Sequence, residues 1–365
     1  MNIPAIKILH QNAFCWNNKG YIPLSIRVEN MRDYDGIHYG TADFLPKLFE
    51  KQMENINRSI NLGSDFIPVI PILNYGTGIA ASLLGADISL ANSNYPDALA
   101  LGFNVKPILH SLDSLNILQT NRDNIFYENL IAHYKYYTEH VPEGIAVCGS
   151  PEDPFDVAYY LRGNDLFYDL TDDPEGVHEL LDLCTRLVIQ TETELRTLAG
   201  HCVDGIMQPA PSAEGLWFDG FRIAGDTLIM LSEDMIKEFV VPCYKKMAQA
   251  FGCKLYVHFC SVDPSAGKQV LNAFLDCEEV AGLSTQFGLE LMESRYEDVK
   301  DKLMFDTCYD GAHGKYIEKF GGEKQFAEYI KRKFGEKSGL IINLRVSSEE
   351  EGKRLVDIWR EVFMG

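Results

Sequence analysis

The sequence predicts an α/β protein built as a (β/α)8 TIM barrel with an N-terminal helical extension. Three observations carry that expectation. Apolar, strand-like runs alternate with helical stretches, as parallel βα units require. Eight such runs occur along the 365 residues, and eight parallel strands are enough to close a barrel. The length suits one large barrel, and no linker, internal repeat or low-complexity tract divides the chain. The expected parse is one domain, 1–365, with the extension at 1–62 and the barrel at 63–365.

The elements follow in order. A helix is expected from about Ala42 to Leu62, stopped by Gly63. The candidate strands are Phe66–Leu73, Gly144–Cys148, Val203–Met207, Phe221–Ala224, Lys254–Phe259, Val280–Ser284, Leu303–Thr307 and Leu340–Leu344. The interval 74–143 must hold more than one helix, and 85–125 within it reads as loop-rich. Pro174, just after Asp173, suits a first helical position. Val177, Leu180, Leu181, Cys184, Leu187 and Val188 then form an apolar stripe ending near Gly200. Ser232 can cap a helix over Glu233–Phe251, closed by Gly252 and kinked by Pro242.

Composition limits the function classes. Hydrophobic residues make up 46%, enough for a substantial core. No apolar run of about 18 residues marks a membrane span, and the opening MNIPAIKILHQN lacks the basic-then-apolar order of a signal peptide. Nine cysteines without such a signal read as reduced thiols in a cytoplasm. The formal charge of −20 disfavours nucleic acid and anionic lipid as partners. It also disfavours a highly anionic substrate, unless a local basic pocket compensates.

The stretch Lys254-Leu-Tyr-Val-His-Phe-Cys260 places His258 and Cys260 two apart. Residues i and i+2 of a strand share a face, and C-terminal strand ends form the active face of such a barrel. Neutral imidazole and thiolate both bind zinc, and a catalytic zinc takes three protein ligands with one open position. Cys308 follows the seventh expected strand and is the leading third ligand. Asp226, Glu290 and Asp306 are weaker oxygen donors. Two ordinary core residues would give the same spacing, so the pair alone does not make a site. Asp226 is also a catalytic candidate, and Asn74, Tyr75, Gln208, Gln286 and Arg345 are candidates to orient substrate from strand ends. Each is equally compatible with plain loop hydrogen bonding. Arg345 could pair with a substrate carboxylate, with Asp226 or with Asp306.

Longer stretches add a resemblance. The segment GSPEDPFDVAYYLRG (149–163) is followed by LFYDLTDDPEGVHELLDLCTRLVI. LSEDMIKEFVVPCYKKM (231–247) precedes KLYVHFC, NYGTGIAASLLGAD spans 74–87, and LIINLRVSSEEEGKRLVDIW spans 340–359. In this order and spacing, over roughly 20–360, they resemble the uroporphyrinogen decarboxylase superfamily. The resemblance implies a (β/α)8 barrel and one of two chemistries. One is cofactor-free decarboxylation of uroporphyrinogen. The other is zinc-dependent methyl transfer between a corrinoid and a thiol, with zinc held by the H-x-C pair and a cysteine near the last strand.

The sequence departs from both patterns. The decarboxylase's RQAGRY segment has only Arg27-Val-Glu-Asn-Met-Arg32 as an analogue, its strand-end aspartate is replaced around Leu73-Asn74-Tyr75, and its late NLGHG becomes Asn343-Leu344-Arg345-Val346-Ser347. Tyr159, or Tyr160, keeps its tyrosine. The methyltransferase branch fits better through His258 and Cys260, although Val346 stands near its late cysteine. The expected function is therefore methyl transfer from a methylcorrinoid to a metal-activated thiol. Zinc is the expected cofactor, a small thiol or carboxylate the substrate, and a corrinoid-binding protein the partner. The alternatives are a metal-free carboxylate decarboxylase and a non-catalytic barrel that binds a ligand or a corrinoid protein.

Overall fold

A computed structural model describes residues 2–72, 78–90, 103–149, 151–200, 206–207, 215–261, 265–307, 317–336 and 339–365. Its strands are β1 (Leu24–Val28), β2 (Val69–Pro71), β3 (Asp87–Leu90), β4 (Phe103–Lys106), β5 (Ala146–Cys148), β6 (Ile206–Met207), β7 (Leu216–Trp217), β8 (Gly220–Ala224), β9 (Lys254–His258), β10 (Val280–Thr285), β11 (Met304–Thr307) and β12 (Leu340–Val346). Six of them form one parallel sheet in the order β1-β12-β11-β10-β9-β8, and β2 and β5 form a second parallel pair. Backbone hydrogen bonds lie at both seams between these sheets. Asp65 N–H donates to Leu24 O at 2.8 Å, and Asp153 N–H donates to Ala224 O at 2.8 Å. Glu152 and Ala224 form an isolated parallel bridge. The fold is α/β, with a curled six-stranded parallel sheet wrapped by helices.

Strand β12 shows why these residues form sheet. All seven of its residues are buried. Leu340, Ile342, Leu344 and Val346 join the large core beneath the helices, whereas Ile341 joins Tyr256 and Met304 in a separate inner cluster. By the period of two, Asn343 and Arg345 share Ile341's inward face. Strand β1 has the same construction. Ile26 and Val28 face the helices, and Arg27 is the register partner of Arg345.

Strand β1 corrects an expectation. It lies within the segment read as a helical extension, yet it pairs residue for residue with β12. Alternating Ser25 and Arg27 hide its strand character, because charged residues face inward here. The expected strand Val203–Met207 is corrected as well. Its described part, β6, pairs antiparallel with β7 and stands outside the six-stranded sheet. The region read as loop-rich contains the antiparallel pair β3 and β4 and a 3-10 turn over Leu112–Ile117.

The helical punctuation holds. The helix Pro174–Ala199 starts where Asp173 accepts the Gly176 N–H, and ends at Gly200 with φ of +55°, a conformation glycine adopts without steric cost. The helix Phe44–Ile60 falls within its expected span. The expected helix Glu233–Phe251 is divided: Glu233–Met235, a π-turn over Ile236–Val240, then Val241–Phe251 with Pro242 at its start. Proline has no N–H to donate to the preceding turn, and a wider turn absorbs that loss.

The helix Ile3–Phe14 covers the N-terminal ends of the strands. Phe14 stacks on Phe218 at 4.2 Å and meets Tyr256 edge-on at 5.4 Å. His10 Nδ1 accepts the Trp217 N–H at 3.0 Å. The opposite, C-terminal strand ends remain for chemistry.

Candidate metal centre

Strand β9 ends at His258, and Cys260 follows two residues later. The neighbouring β8 turns at Gly225, whose N–H donates to His258 O at 2.8 Å. Asp226 then opens the 3-10 turn Asp226–Met230, and its Oδ1 accepts the Cys260 N–H at 2.7 Å. Asp226, His258 and Cys260 thus present an oxygen, a nitrogen and a sulfur within 4.8 Å of one another. Cys260 Sγ lies 3.6 Å from His258 Nε2. Tetrahedral zinc with Zn–S of about 2.3 Å and Zn–N of about 2.0 Å would place two such ligands about 3.5 Å apart. Donor chemistry and spacing both fit a zinc-like ion.

Strand β10 supports the pair from behind. Ser284 is the register partner of His258, and its Oγ lies 3.1 Å from His258 Nδ1. Ser284 also hydrogen-bonds Asp306. With the serine proton given to Asp306, Ser284 Oγ accepts from Nδ1–H, which leaves the Nε2 lone pair facing Cys260. Gln286 stands two residues on and donates from Nε2 to Cys260 Sγ at 3.3 Å. Asp156 fixes the third donor, because its carboxylate accepts the N–H groups of Asp226 at 3.0 Å and Thr227 at 3.1 Å, and the Thr227 hydroxyl.

Burial, and next the nearby Arg222, lowers the His258 pKa to about 3 against the opposing pull of Asp226. The imidazole is therefore neutral near pH 7 and available as a ligand. Although Cys260 is exposed as a residue, desolvation of its thiol, followed by the Asp226 charge, pushes its pKa up to about 12. Without a cation the thiol stays protonated. Coordination to a metal deprotonates such a thiol outright.

The other expected site residues separate. Asn74, Tyr75, Gln208 and Cys308 lie outside the described residues, as do Leu73 and Val203 of the expected strands. Glu290 is 3.9 Å from Lys319 on the helix Gly288–Ser294 and is not a member of the donor cluster. Asp306 is fully buried beneath the site, where Asn343 Nδ2 donates to it at 3.4 Å, and it too is outside the cluster. The Tyr159 hydroxyl donates to Asn164 at the end of its own helix. Tyr160 is instead the tyrosine near Glu152, Asp156 and Asp226, whose charges add to burial in raising its pKa. Among the described residues Glu29 is an ion partner of Arg345, whose Nη1 lies 3.9 Å from it.

Sequence reasoning passes over Arg222, Glu29 and Ser284 as site residues. Arg222 is buried and is the register partner of Tyr256, so it shares the inner face. Glu29 accepts from Arg27 Nη2 at 3.0 Å and from the Tyr34 hydroxyl at 2.5 Å. Three buried arginines, Arg27, Arg222 and Arg345, thus stand inside a protein of net charge −20. The available signal was polar residues at alternate positions of otherwise apolar strands.

The described cysteines form no disulfide. No helix among the described residues is long and apolar enough to cross a membrane.

No protein-family profile and no curated protein matches the chain. Solved structures do match. One is a methyltransferase from Methanosarcina mazei, 15% identical, with a TM-score of 0.63 over 98% of this chain and 99% of that one. The chain therefore shares its overall α/β fold with that methyltransferase along nearly the whole length of both.

Proposed function

We propose that the chain is a methyl-transferring enzyme of the uroporphyrinogen decarboxylase superfamily, with its strands closed into a (β/α)8 barrel and a metal-activated thiol as methyl acceptor. One observation carries this reading: Asp226, His258 and Cys260 converge at the C-terminal end of β9 with their donor atoms within 4.8 Å of one another, the His258–Cys260 pair at 3.6 Å. The fold likeness to a methyltransferase supports it. A bound zinc-like ion would hold a thiol substrate as thiolate in its open position.

The chain's own residues supply the rest. His258 offers a neutral nitrogen, held in place by Ser284. Asp226 keeps the Cys260 backbone in place while contributing a negative donor. The inner arginines can bind an acidic group of a substrate. The methyl donor, expected as a methylated corrinoid carried by a partner protein, would approach the exposed Asp226–Cys260 rim. Reduced thiols and the acidic surface are consistent with a cytoplasmic setting.

Metal analysis of protein purified without chelator tests the reading. Wild type should hold about one equivalent of zinc, and His258→Ala less than about 0.1, because a buried site loses affinity steeply with a ligand. The buried arginines favour a second reading, metal-free decarboxylation of a small carboxylate. Wild type that stays below about 0.1 equivalent after zinc is added, and whose turnover survives chelation, would replace the first reading with the second.

A further inference from the structure

The proposed centre poses a selectivity problem. Once a thiol substrate is bound, two sulfurs face one electrophile, and Cys260 is itself exposed. A protein sulfur methylated in place of the substrate would end turnover. We propose that Gln286 suppresses alkylation of Cys260, so that the substrate sulfur is the one that reacts. The inference rests on the metal reading above.

The geometry is specific. Gln286 Nε2 donates to Cys260 Sγ at 3.3 Å. The amide orientation is fixed by its other end, because the Ser261 N–H donates to Gln286 Oε1 at 2.9 Å. Only the carbonyl oxygen can accept that bond, so the NH2 group must face the sulfur. The Cys260 backbone is held in turn by Asp226. Gln286 lies two residues beyond Ser284, which pairs with His258 in the parallel ladder. The two-residue spacing of the ligands at the end of β9 is thus matched by the two-residue spacing of their supports at the end of β10.

An N–H donor engages a sulfur lone pair and stabilises charge on the thiolate. Alkylation consumes that charge, so the hydrogen bond weakens on the way to the transition state and the reaction slows. That N–H of Gln286 is committed to Cys260 Sγ and so is not offered to the sulfur of an incoming thiol. Hydrogen bonding to sulfur, more than reach, would then decide which thiolate attacks.

The test uses full-length zinc-loaded protein and methyl iodide. In that reaction the S–C bond forms as the C–I bond breaks. Iodide leaves with the bonding pair, and the thiolate becomes a neutral thioether. Zinc content is measured first, and methylation of each cysteine peptide is then followed by mass spectrometry. Exposed Cys15 serves as the internal reference. Gln286→Met removes the donor at similar size, and Gln286→Glu keeps an acceptor for the Ser261 N–H while removing the donor. Both should methylate Cys260 about tenfold faster than wild type, the factor expected for a lost charge-assisted hydrogen bond, with Cys15 unchanged. Equal Cys260 rates in zinc-loaded wild type and variants would overturn the inference and leave the metal reading standing. A faster rate in Gln286→Met alone would overturn it too, by assigning the effect to a loosened Ser261 backbone. Wild type that takes up no zinc would remove the metal reading, and the inference with it.

Discussion

His258 ends a strand and Cys260 follows two residues on, and their approach to within 3.6 Å is legible in that two-residue spacing. Their third partner is not. Asp226 is 32 residues from His258 in sequence and reaches it only because Gly225 bonds across to β9. The same holds for half-buried Glu192, outside the donor cluster. Glu192 lines a cavity of about 40 Å³ with Glu152, Thr191 and Tyr134. Burial raises its pKa from 4.5 to about 7, against the pull of Arg196. Between those values the folded protein holds a proton that the unfolded chain releases, so this group's contribution to stability falls as pH rises. Glu192→Gln removes that dependence. Urea midpoints from pH 4.5 to 7 should show the variant gaining on wild type by roughly 1 kcal/mol per pH unit, the linkage limit being about 1.4. A gap independent of pH would show that Glu192 titrates normally.

At the scale of elements, the candidate site is two strands and a turn. Strand β9 ends on the nitrogen, with the sulfur two residues beyond it, β10 carries Ser284 with Gln286 just past its end, and the turn after β8 carries the oxygen. Gly225 joins that turn to its strand. A Cβ there would lie 2.9 Å from Leu228 Cδ1 and 3.2 Å from Asp153 Cβ. Gly225→Ala should therefore displace Asp226 and weaken zinc binding about tenfold, as changes behind a metal ligand commonly do. Competition with a chromophoric chelator would measure this, and unchanged affinity would remove Asp226 from the donor set. The helices behind the site were easier to read. Asp173, Pro174 and Gly200 bound the helix Pro174–Ala199 because caps act through local hydrogen bonds and dihedral angles. Strand β1 was harder, because Arg27 and Glu29 are buried against each other rather than exposed.

For the whole molecule, the Ile3–Phe14 helix is part of the core. It closes the sheet at the end opposite the site, through Phe14 against Phe218 and Tyr256. Phe14→Ala should cost about 3–5 kcal/mol of stability and leave zinc stoichiometry unchanged, because Tyr256 separates the two ends of β9. Denaturant unfolding with parallel metal analysis would check both parts. A loss of metal without a loss of stability would contradict this division between closing end and working end. By itself the sequence determined the α/β class, the bounds of the helix Pro174–Ala199, the place of the helix Phe44–Ile60, most strands of the main sheet and the His258–Cys260 pair. Those features depend on periodicity and capping, which act over a few residues. Tertiary structure alone decided that β1 belongs to the sheet, that Asp226 joins the pair, that Ser284 and Gln286 stand behind it, and that Arg345 faces Glu29. Each depends on strand register, and register is set when inner and outer faces pack together, between residues that can lie hundreds of positions apart.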